Sequence, residues 1–259
     1  MIVESFNQLI ETMFAPIEGN ISASAPAGLV LLGLITGLRH SMEADHIAAV
    51  STIVSVSKNK LSRAPLIGMM WGAGHTAMLF VAGLIVLLFA VSIPEQISGT
   101  LEFGVGVMLV FLGATTLTGF SLGKFLRGMY GRHPHGHVHV HKDMGLEHSH
   151  DHDHHHDDHN HGHKSLIVGM VHGLAGSGAL MLIILSTINS VPLGLAYIAI
   201  FGVGSIASMA GMSALIGLPF AKAKHIKLNL VLRYVAAAIT LAIGAGLIYE
   251  LGVVQKIFI

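Results

Sequence analysis

Six apolar runs, each about 20 residues or longer, constrain this chain more than any other feature of its sequence. A run of that length crosses ~30 Å of hydrocarbon as one α-helix. Hydrophobic residues make up 53% of the 259 residues and charged residues only 11%, which is the composition of a polytopic membrane protein. We predict an all-α fold with six transmembrane helices, at residues 24–57, 65–91, 99–120, 165–189, 192–220 and 229–251.

The basic residues indicate how these helices are oriented. Lys and Arg cluster after the first span, between the third and fourth spans, and before the sixth, whereas the loops around Pro94 and Pro192 contain none. The positive-inside rule therefore places the three basic loops in the cytoplasm and both termini outside the plasma membrane. In residues 1–23, apolar side chains recur at helical spacing between glutamates, which predicts a short amphipathic helix on the membrane surface.

The two halves of the chain resemble each other. Three pairs of segments match at offsets of about 130 residues: 34–40 with 166–172, 71–75 with 201–205, and 113–114 with 244–245. Because each unit has an odd number of helices, its second copy must cross the membrane in the opposite orientation. We predict two inverted three-helix repeats, residues 24–120 and 165–259, joined by a loop at 121–164. Such repeats place a binding site near the membrane midplane, on discontinuous helices.

The first span contains a dense group of ionisable residues, namely Arg39, His40, Glu43, Asp45 and His46. Ionisable groups at membrane depth are costly, so they indicate a functional site. Imidazole and carboxylate suit borderline divalent transition metals when no thiolate is offered, and the chain has no cysteine. The span is also longer than a bilayer requires, so it must tilt, project into water or break, and the charged segment is the expected place of a break.

A further imidazole lies on the second span at the same depth. His46 lies about 12 residues before Lys58, and His75 lies about 12 residues after Arg63. At ~1.5 Å per residue, both side chains lie roughly 18 Å from the cytoplasmic edge. We therefore predict His40, Asp45, His46 and His75 as metal ligands.

The spacing of these ligands is incompatible with a regular helix. His40, Glu43 and His46 share one face of such a helix, while Asp45 points well away from it. Either the helix unwinds next to Gly37, or Asp45 orients a ring nitrogen instead of binding the ion. Glu43 is expected as a ligand or as an orienting group.

Two other residues have alternative interpretations. His172, the counterpart of His40 in the second half, is either a further metal ligand or a helix-to-helix hydrogen bond. Arg39 is expected to neutralise Glu43 or Asp45, or to extend along the helix towards the membrane surface.

The loop between the third and fourth spans holds 14 of the 19 histidines, at positions 133 to 163, interleaved with aspartates. This composition cannot form a core, and it predicts a disordered cytoplasmic segment that binds metal. Many weak sites in one loop would buffer imported ions, gather ions for export or sense the cytoplasmic metal load.

The motif from Arg39 to Ile47 resembles the His-x4-Asp-His signature of the nickel/cobalt transporter family, and Gly74-His75-Thr76 is similar to that family's second motif. The resemblance implies that His40, Asp45 and His46 bind Ni²⁺ or Co²⁺ in transit, with His75 close by. The family's longer members carry Asp, Thr and Glu in a third motif. In its place, this chain has the glycine-rich residues 173–178. The chain thus resembles the shorter, urease-accessory-type branch, so acidic ligands are not expected in the second half.

We therefore expect transport of divalent nickel or cobalt, and the closeness of the first motif to uptake permeases favours import. The metal is a substrate, so we expect no resident cofactor and no enzyme activity. The lipid bilayer and cytoplasmic metallochaperones are the expected partners, without nucleic acid. The chain contains no nucleotide-binding motif, so energy comes from a gradient or from separate subunits.

Three other functions share features with this one. A zinc or other divalent-metal carrier and a membrane metal sensor or storage protein centred on the histidine-rich loop are the alternatives. An intramembrane metalloprotease is disfavoured, because the His-Glu-x-x-His spacing is missing from the sequence.

Overall fold

The computed structural model describes residues 2–21, 26–57, 60–89, 94–119, 138–140, 147–149, 160–174, 190–223 and 226–257. Its helices are α1 (Ile2–Gly19), α2 (Pro26–His40), α3 (Ala44–Val56), α4 (Lys60–Phe89), α5 (Glu95–Thr118), α6 (Asn160–Leu174), α7 (Val191–Lys222) and α8 (Ile226–Tyr249). A π-helical turn, Glu250–Val254, follows α8. Two short strands, β1 (Val138–Val140) and β2 (Glu147–Ser149), pair antiparallel.

Four of the helices, α4, α5, α7 and α8, are long and apolar enough to cross a membrane. They correspond to the spans predicted at residues 65–91, 99–120, 192–220 and 229–251. Many of their large apolar side chains remain exposed on the protein surface, as expected for helices surrounded by lipid tails. The chain is therefore a helical integral membrane protein, as predicted.

The first predicted span, residues 24–57, consists of two helices. The 15 residues of α2 and the 13 residues of α3 each extend about 20 Å, which is too short to cross the hydrocarbon alone. The helix ends at His40 and begins again at Ala44, so the break lies in the charged segment, as predicted. The predicted alternative of unwinding next to Gly37 is wrong, because α2 continues regularly through that residue.

The other expected segments are described in part. Of the span predicted at 165–189, α6 contains the first portion, and residues 175–189 lie outside the described residues. Helix α6 begins at Asn160, inside the loop predicted at 121–164, and the two strands also lie in that loop. Most of the loop lies outside the described residues, so its disorder stays a prediction.

The N-terminal segment is helical, as predicted, and α1 contacts both α2 and α3. Ile10 is buried against the rest of the protein, while Leu9, Met13 and Ile17 are exposed. The helix therefore lies beside the break in the first span, with Ile10 turned towards the protein.

The helices of the two halves pack across each other. Helix α2 contacts α7, α4 contacts both α6 and α7, and α5 contacts α8. Trp71, Leu109 and Met209 lie in the larger buried apolar cluster, and Tyr197 and Phe201 lie in a smaller one next to α2. The core is therefore built between the halves rather than within each half.

Glycines permit the closest of these approaches between helices. A Cβ on Gly204 would lie 2.8 Å from the carbonyl oxygen of Leu34. A Cβ on Gly74 would collide with the carbonyl oxygen of Leu166, the residue that matches Leu34 in the second half. The two contacts are equivalent, because Gly204 matches Gly74 and Leu34 matches Leu166 between the two halves.

The same reciprocity recurs at two other pairs of matched glycines. A Cβ on Gly37 would collide with the backbone of Phe201, and one on Gly169 would collide with the backbone of Trp71. Between α5 and α8, a Cβ on Gly113 would lie 2.8 Å from the oxygen of Ala237, and one on Gly244 would lie 2.7 Å from the oxygen of Gly106. Each contact in one half thus has its counterpart in the other half.

Buried hydroxyl groups add polar links between the helices. Thr52 and Thr240 share a hydrogen bond of 2.6 Å between α3 and α8. Ser165 donates to the carbonyl oxygen of Ile67 at 2.7 Å, which joins α6 to α4. Ser41, in the helix break, bonds to Ser208 on α7.

Two glycine substitutions on α7 test this packing. We expect Gly204→Ala to lower the free energy of unfolding by about 1–3 kcal/mol, because the new methyl group must push α2 away from α7. Gly211→Ala is the matched control: among the described residues, no atom outside the neighbouring backbone of its own helix lies within 4 Å of its Cβ position, and alanine favours the helix. Thermal unfolding of both variants in detergent measures the difference, and equal midpoints would contradict the tight contact.

Candidate metal centre

The break in the first span determines where its ionisable side chains lie. Helix α2 ends at His40, and the amide of Glu43 donates to the carbonyl oxygen of His40 at 3.2 Å to close a tight turn. Glu43 is extended, with φ −62° and ψ 149°, and α3 then begins at Ala44. The turn therefore brings Asp45 and His46, in the first turn of α3, beside the end of α2.

Three imidazoles converge at this break from α2, α3 and α4. His40, His46 and His75 are 3%, 1% and 1% exposed. Their ring centroids are separated by 4.6 Å for His40 and His46, 4.8 Å for His40 and His75, and 5.1 Å for His46 and His75. One ligand atom of each lies within 4.8 Å of the others. We call this group the first triad.

A second group shares one of these rings. One ligand atom each of Asp45, His46 and His172 also lies within 4.8 Å of the others. The Asp45 carboxylate accepts from His46 Nδ1 at 3.0 Å through Oδ1 and from His172 Nε2 at 2.9 Å through Oδ2. His172 is fully buried on α6. We call this group the second triad.

Carboxylates hold two rings of the first triad in defined tautomers. Ionised Glu43 and Asp45 only accept hydrogen bonds, so His40 donates through Nδ1 to Glu43 at 3.2 Å and His46 donates through Nδ1 to Asp45. The Nε2 atom of each neutral ring then carries the lone pair. A carboxylate behind a metal-binding histidine orients the ring in the same way in many metal sites.

Nitrogen atoms without partners mark the interior of the centre. Within the described parts of the chain, no hydrogen-bond partner faces the buried His46 Nε2, His75 Nδ1 or His172 Nδ1 atoms. His40 Nε2 and His75 Nε2 share a hydrogen bond of 2.7 Å. Leaving a buried polar atom unsatisfied costs about 1–3 kcal/mol, so a cation that binds these nitrogens would recover that energy.

The structure thus brings together all six residues that the sequence predicted as ligands or orienting groups, and their contacts differ. His40, His46 and His75 lie in the first triad, and Asp45 and His172 lie in the second. Glu43 belongs to neither triad and contacts only the Nδ1 side of His40 among the centre's rings. These contacts match the predicted alternative in which Glu43 orients the His40 ring instead of binding the ion.

Arg39 does not neutralise Glu43 or Asp45, so that expectation is wrong. Its Nε lies 3.4 Å from Oε1 of Glu18 on α1, which reaches the break from outside the triads. Sequence spacing within the first span could not reveal this partner, because the contact depends on how α1 folds back.

Sequence reasoning overlooked two polar residues near the centre. Asn7 on α1 accepts from the backbone amide of Ala44 at 3.0 Å and so satisfies the first amide of α3. Glu102 is half-buried, on the same face of α5 as the buried Val105 and Leu109. An acid within an apolar span is a signal that could have found Glu102, whereas no feature of the sequence singles out Asn7.

The comparison with known proteins decides the family. The urease accessory protein UreH of Bacillus sp. (strain TB-90) is 36% identical to this chain over 232 residues, which are 89% of this chain and 94% of that relative. The chain belongs to the UreH family of urease accessory proteins. The shorter, urease-accessory-type branch, predicted from the glycine-rich residues 173–178 in place of the third motif of longer members, is thereby confirmed. No protein-family model and no solved structure matches this UreH-family chain.

The contact between α1 and the break generates a test in this UreH-family chain. We expect Asn7→Ala to lower the free energy of unfolding by about 1 kcal/mol, because the amide of Ala44 loses its acceptor. Gln8→Ala is the matched control, since Gln8 is the exposed neighbour of Asn7 on the same helix. Thermal unfolding in detergent measures both variants, and an unchanged midpoint for Asn7→Ala would show that the cap contributes nothing.

Proposed function

We propose that this chain carries divalent nickel or cobalt ions across the plasma membrane through the centre at the helix break. The observation that carries the proposal is the convergence of four buried imidazoles and the half-buried Asp45 carboxylate, from α2, α3, α4 and α6, in two triads that share His46. Groups this costly are retained at membrane depth for ion pathways. The relative's name, urease accessory protein, links the proposal to a supply of metal for urease.

The donor set supports a borderline divalent cation. Neutral imidazole nitrogens and carboxylate oxygens suit nickel, cobalt and zinc, and the chain offers no thiolate. The resemblance of the motif from Arg39 to Ile47 to the nickel/cobalt signature favours the first two metals. A zinc carrier is the closest alternative, and competition between the metals in one flux assay separates them.

The proposed binding step uses the orientation of the rings. His40 and His46 present Nε2 lone pairs because Glu43 and Asp45 hold their Nδ1 protons. An incoming ion replaces the hydrogen bond between His40 and His75. The His75 ring stays neutral: it binds through the Nδ1 lone pair, or it takes up a proton at Nδ1 as the Nε2 proton leaves and binds through Nε2. Because the rings bind in their neutral forms, metal and protons compete for the same nitrogens.

We further propose that the fold is two inverted three-helix repeats, with α6 beginning the span in the second half. The contact of Gly37 with Phe201 has its counterpart in that of Gly169 with Trp71, and the contact of Gly204 with Leu34 has its counterpart in that of Gly74 with Leu166. These matched pairs support the symmetry, because inverted repeats exchange equivalent surfaces. In this arrangement both termini lie outside, and the histidine-rich loop at 133–163 lies in the cytoplasm. Import is the favoured direction, and cytoplasmic metallochaperones would receive the ion.

Metal flux tests the function directly. Purified protein is reconstituted in liposomes of known orientation, and uptake of Ni²⁺ and Co²⁺ is followed with an enclosed indicator dye. We expect His46→Ala and His75→Ala to lower flux at least tenfold, because each removes a ligand of the first triad. Wild-type flux in both variants would contradict the proposed centre.

The same variants separate transport from a loop-centred function. They leave all 14 histidines of the loop in place, so a sensor or storage protein centred on that loop would keep its metal binding and its response. Thr100→Ala is the control for reconstitution, because Thr100 is exposed and, in the part of the chain that the structure describes, its hydroxyl bonds only to Gln96 on its own helix. Its flux should equal that of the wild type.

A further inference from the structure

The two triads share His46 and otherwise have no member in common. We propose that they are two successive positions of the transported ion, which passes from one to the other by exchanging ligands around the His46 ring. This inference rests on the proposed function. It adds a second cation position, formed by Asp45, His46 and His172, to the one formed by His40, His46 and His75.

The geometry places His46 between the other rings. Its centroid lies 4.6 Å from that of His40, 5.1 Å from that of His75 and 4.2 Å from that of His172. The His75 and His172 rings are farther apart, at 5.9 Å, and His40 and His172 fall in different triads. An ion can therefore keep His46 while it exchanges its other ligands.

The two nitrogens of His46 face different partners. Nδ1 lies 3.0 Å from Asp45, in the second triad, while Nε2 is buried and has no partner among the described residues. A neutral imidazole has a lone pair on only one nitrogen at a time. His46 can therefore serve the first triad through Nε2 or the second through Nδ1, and the two positions are occupied alternately.

Asp45 changes its role between the two positions. With the ion in the first triad, Asp45 accepts the Nδ1 proton of His46 and orients that ring. With the ion in the second triad, the carboxylate oxygens bind it, together with His46 Nδ1 and His172 Nε2. The Nδ1 proton of His46 and the Nε2 proton of His172 leave, and the other nitrogen of each ring takes up a proton, so both rings stay neutral.

The second position depends on both halves of the chain, whereas the first depends on one. His40, His46 and His75 lie on α2, α3 and α4, but His172 lies on α6. The neighbouring Gly173 packs directly against the backbone of His75, so α6 and α4 are in contact at this depth. A displacement of α6 relative to α4 would change the second position and leave the first intact.

The test compares His75→Ala with His172→Ala in oriented proteoliposomes, with Ni²⁺ as the probe and the gradient applied in each direction in turn. Loss of a ligand at the position that is filled first should raise KM about tenfold, and loss at the later position should lower the maximal flux at an unchanged KM. Reversal of the gradient should exchange the two effects between the variants. That exchange is the signature of two successive positions.

Three outcomes overturn the inference. If both variants raise KM equally in both directions, all ligands hold one ion in one position. If His172→Gln, whose amide still donates to Asp45, restores wild-type kinetics, His172 only positions that carboxylate. If His46→Ala has wild-type flux, both the proposed function and the inference fail. If His46→Ala is inactive but His75→Ala and His172→Ala raise KM equally, only the inference fails.

Discussion

The cost of burying ionisable groups at membrane depth governs the rest of this structure. The four imidazoles of the centre are buried among apolar helices, where water cannot solvate them, and the Asp45 carboxylate is half-buried beside them. Each of these groups instead contacts another member of the centre, and the remaining unpartnered nitrogens point to a cation. An unbroken helix would direct Asp45 away from the others, so the break between α2 and α3 is what makes their mutual contact possible.

The break itself requires support, because helix ends leave amide and carbonyl groups without partners. The amide of Ala44 finds an acceptor in Asn7, and Arg39 pairs with Glu18, both on α1. Ser41 bonds to Ser208 on α7. The N-terminal helix and the second half of the chain therefore stabilise a backbone irregularity that the first half could not maintain alone.

Close helix packing then positions the centre between the halves. The matched glycines let α2 approach α7 and let α6 approach α4, which brings His172 to Asp45. Because each glycine contact recurs between the matched segments, the packing is symmetric, but the chemistry is not: Ser205 stands where the first half has His75. The first half supplies most of the donors, and the second half supplies His172.

Local features of the sequence predicted the apolar spans, the break in the charged segment and the convergence of His46 with His75, because hydropathy and helical rise determine them. They did not predict the partner of Arg39, the role of Asn7 or the exact position of the break. Those depend on how α1 folds back and how Gly37 packs against Phe201, which are contacts between segments distant in the chain.

The most direct measurement of the central claim is the position of a bound ion. A crystal structure of the protein with Ni²⁺, with an anomalous difference map recorded at the nickel absorption edge, gives that position without reference to transport. We expect a nickel peak at the break between α2 and α3, within bonding distance of His46 and of the other members of one triad. Peaks confined to the histidine-rich loop, with none among the membrane helices, would contradict it.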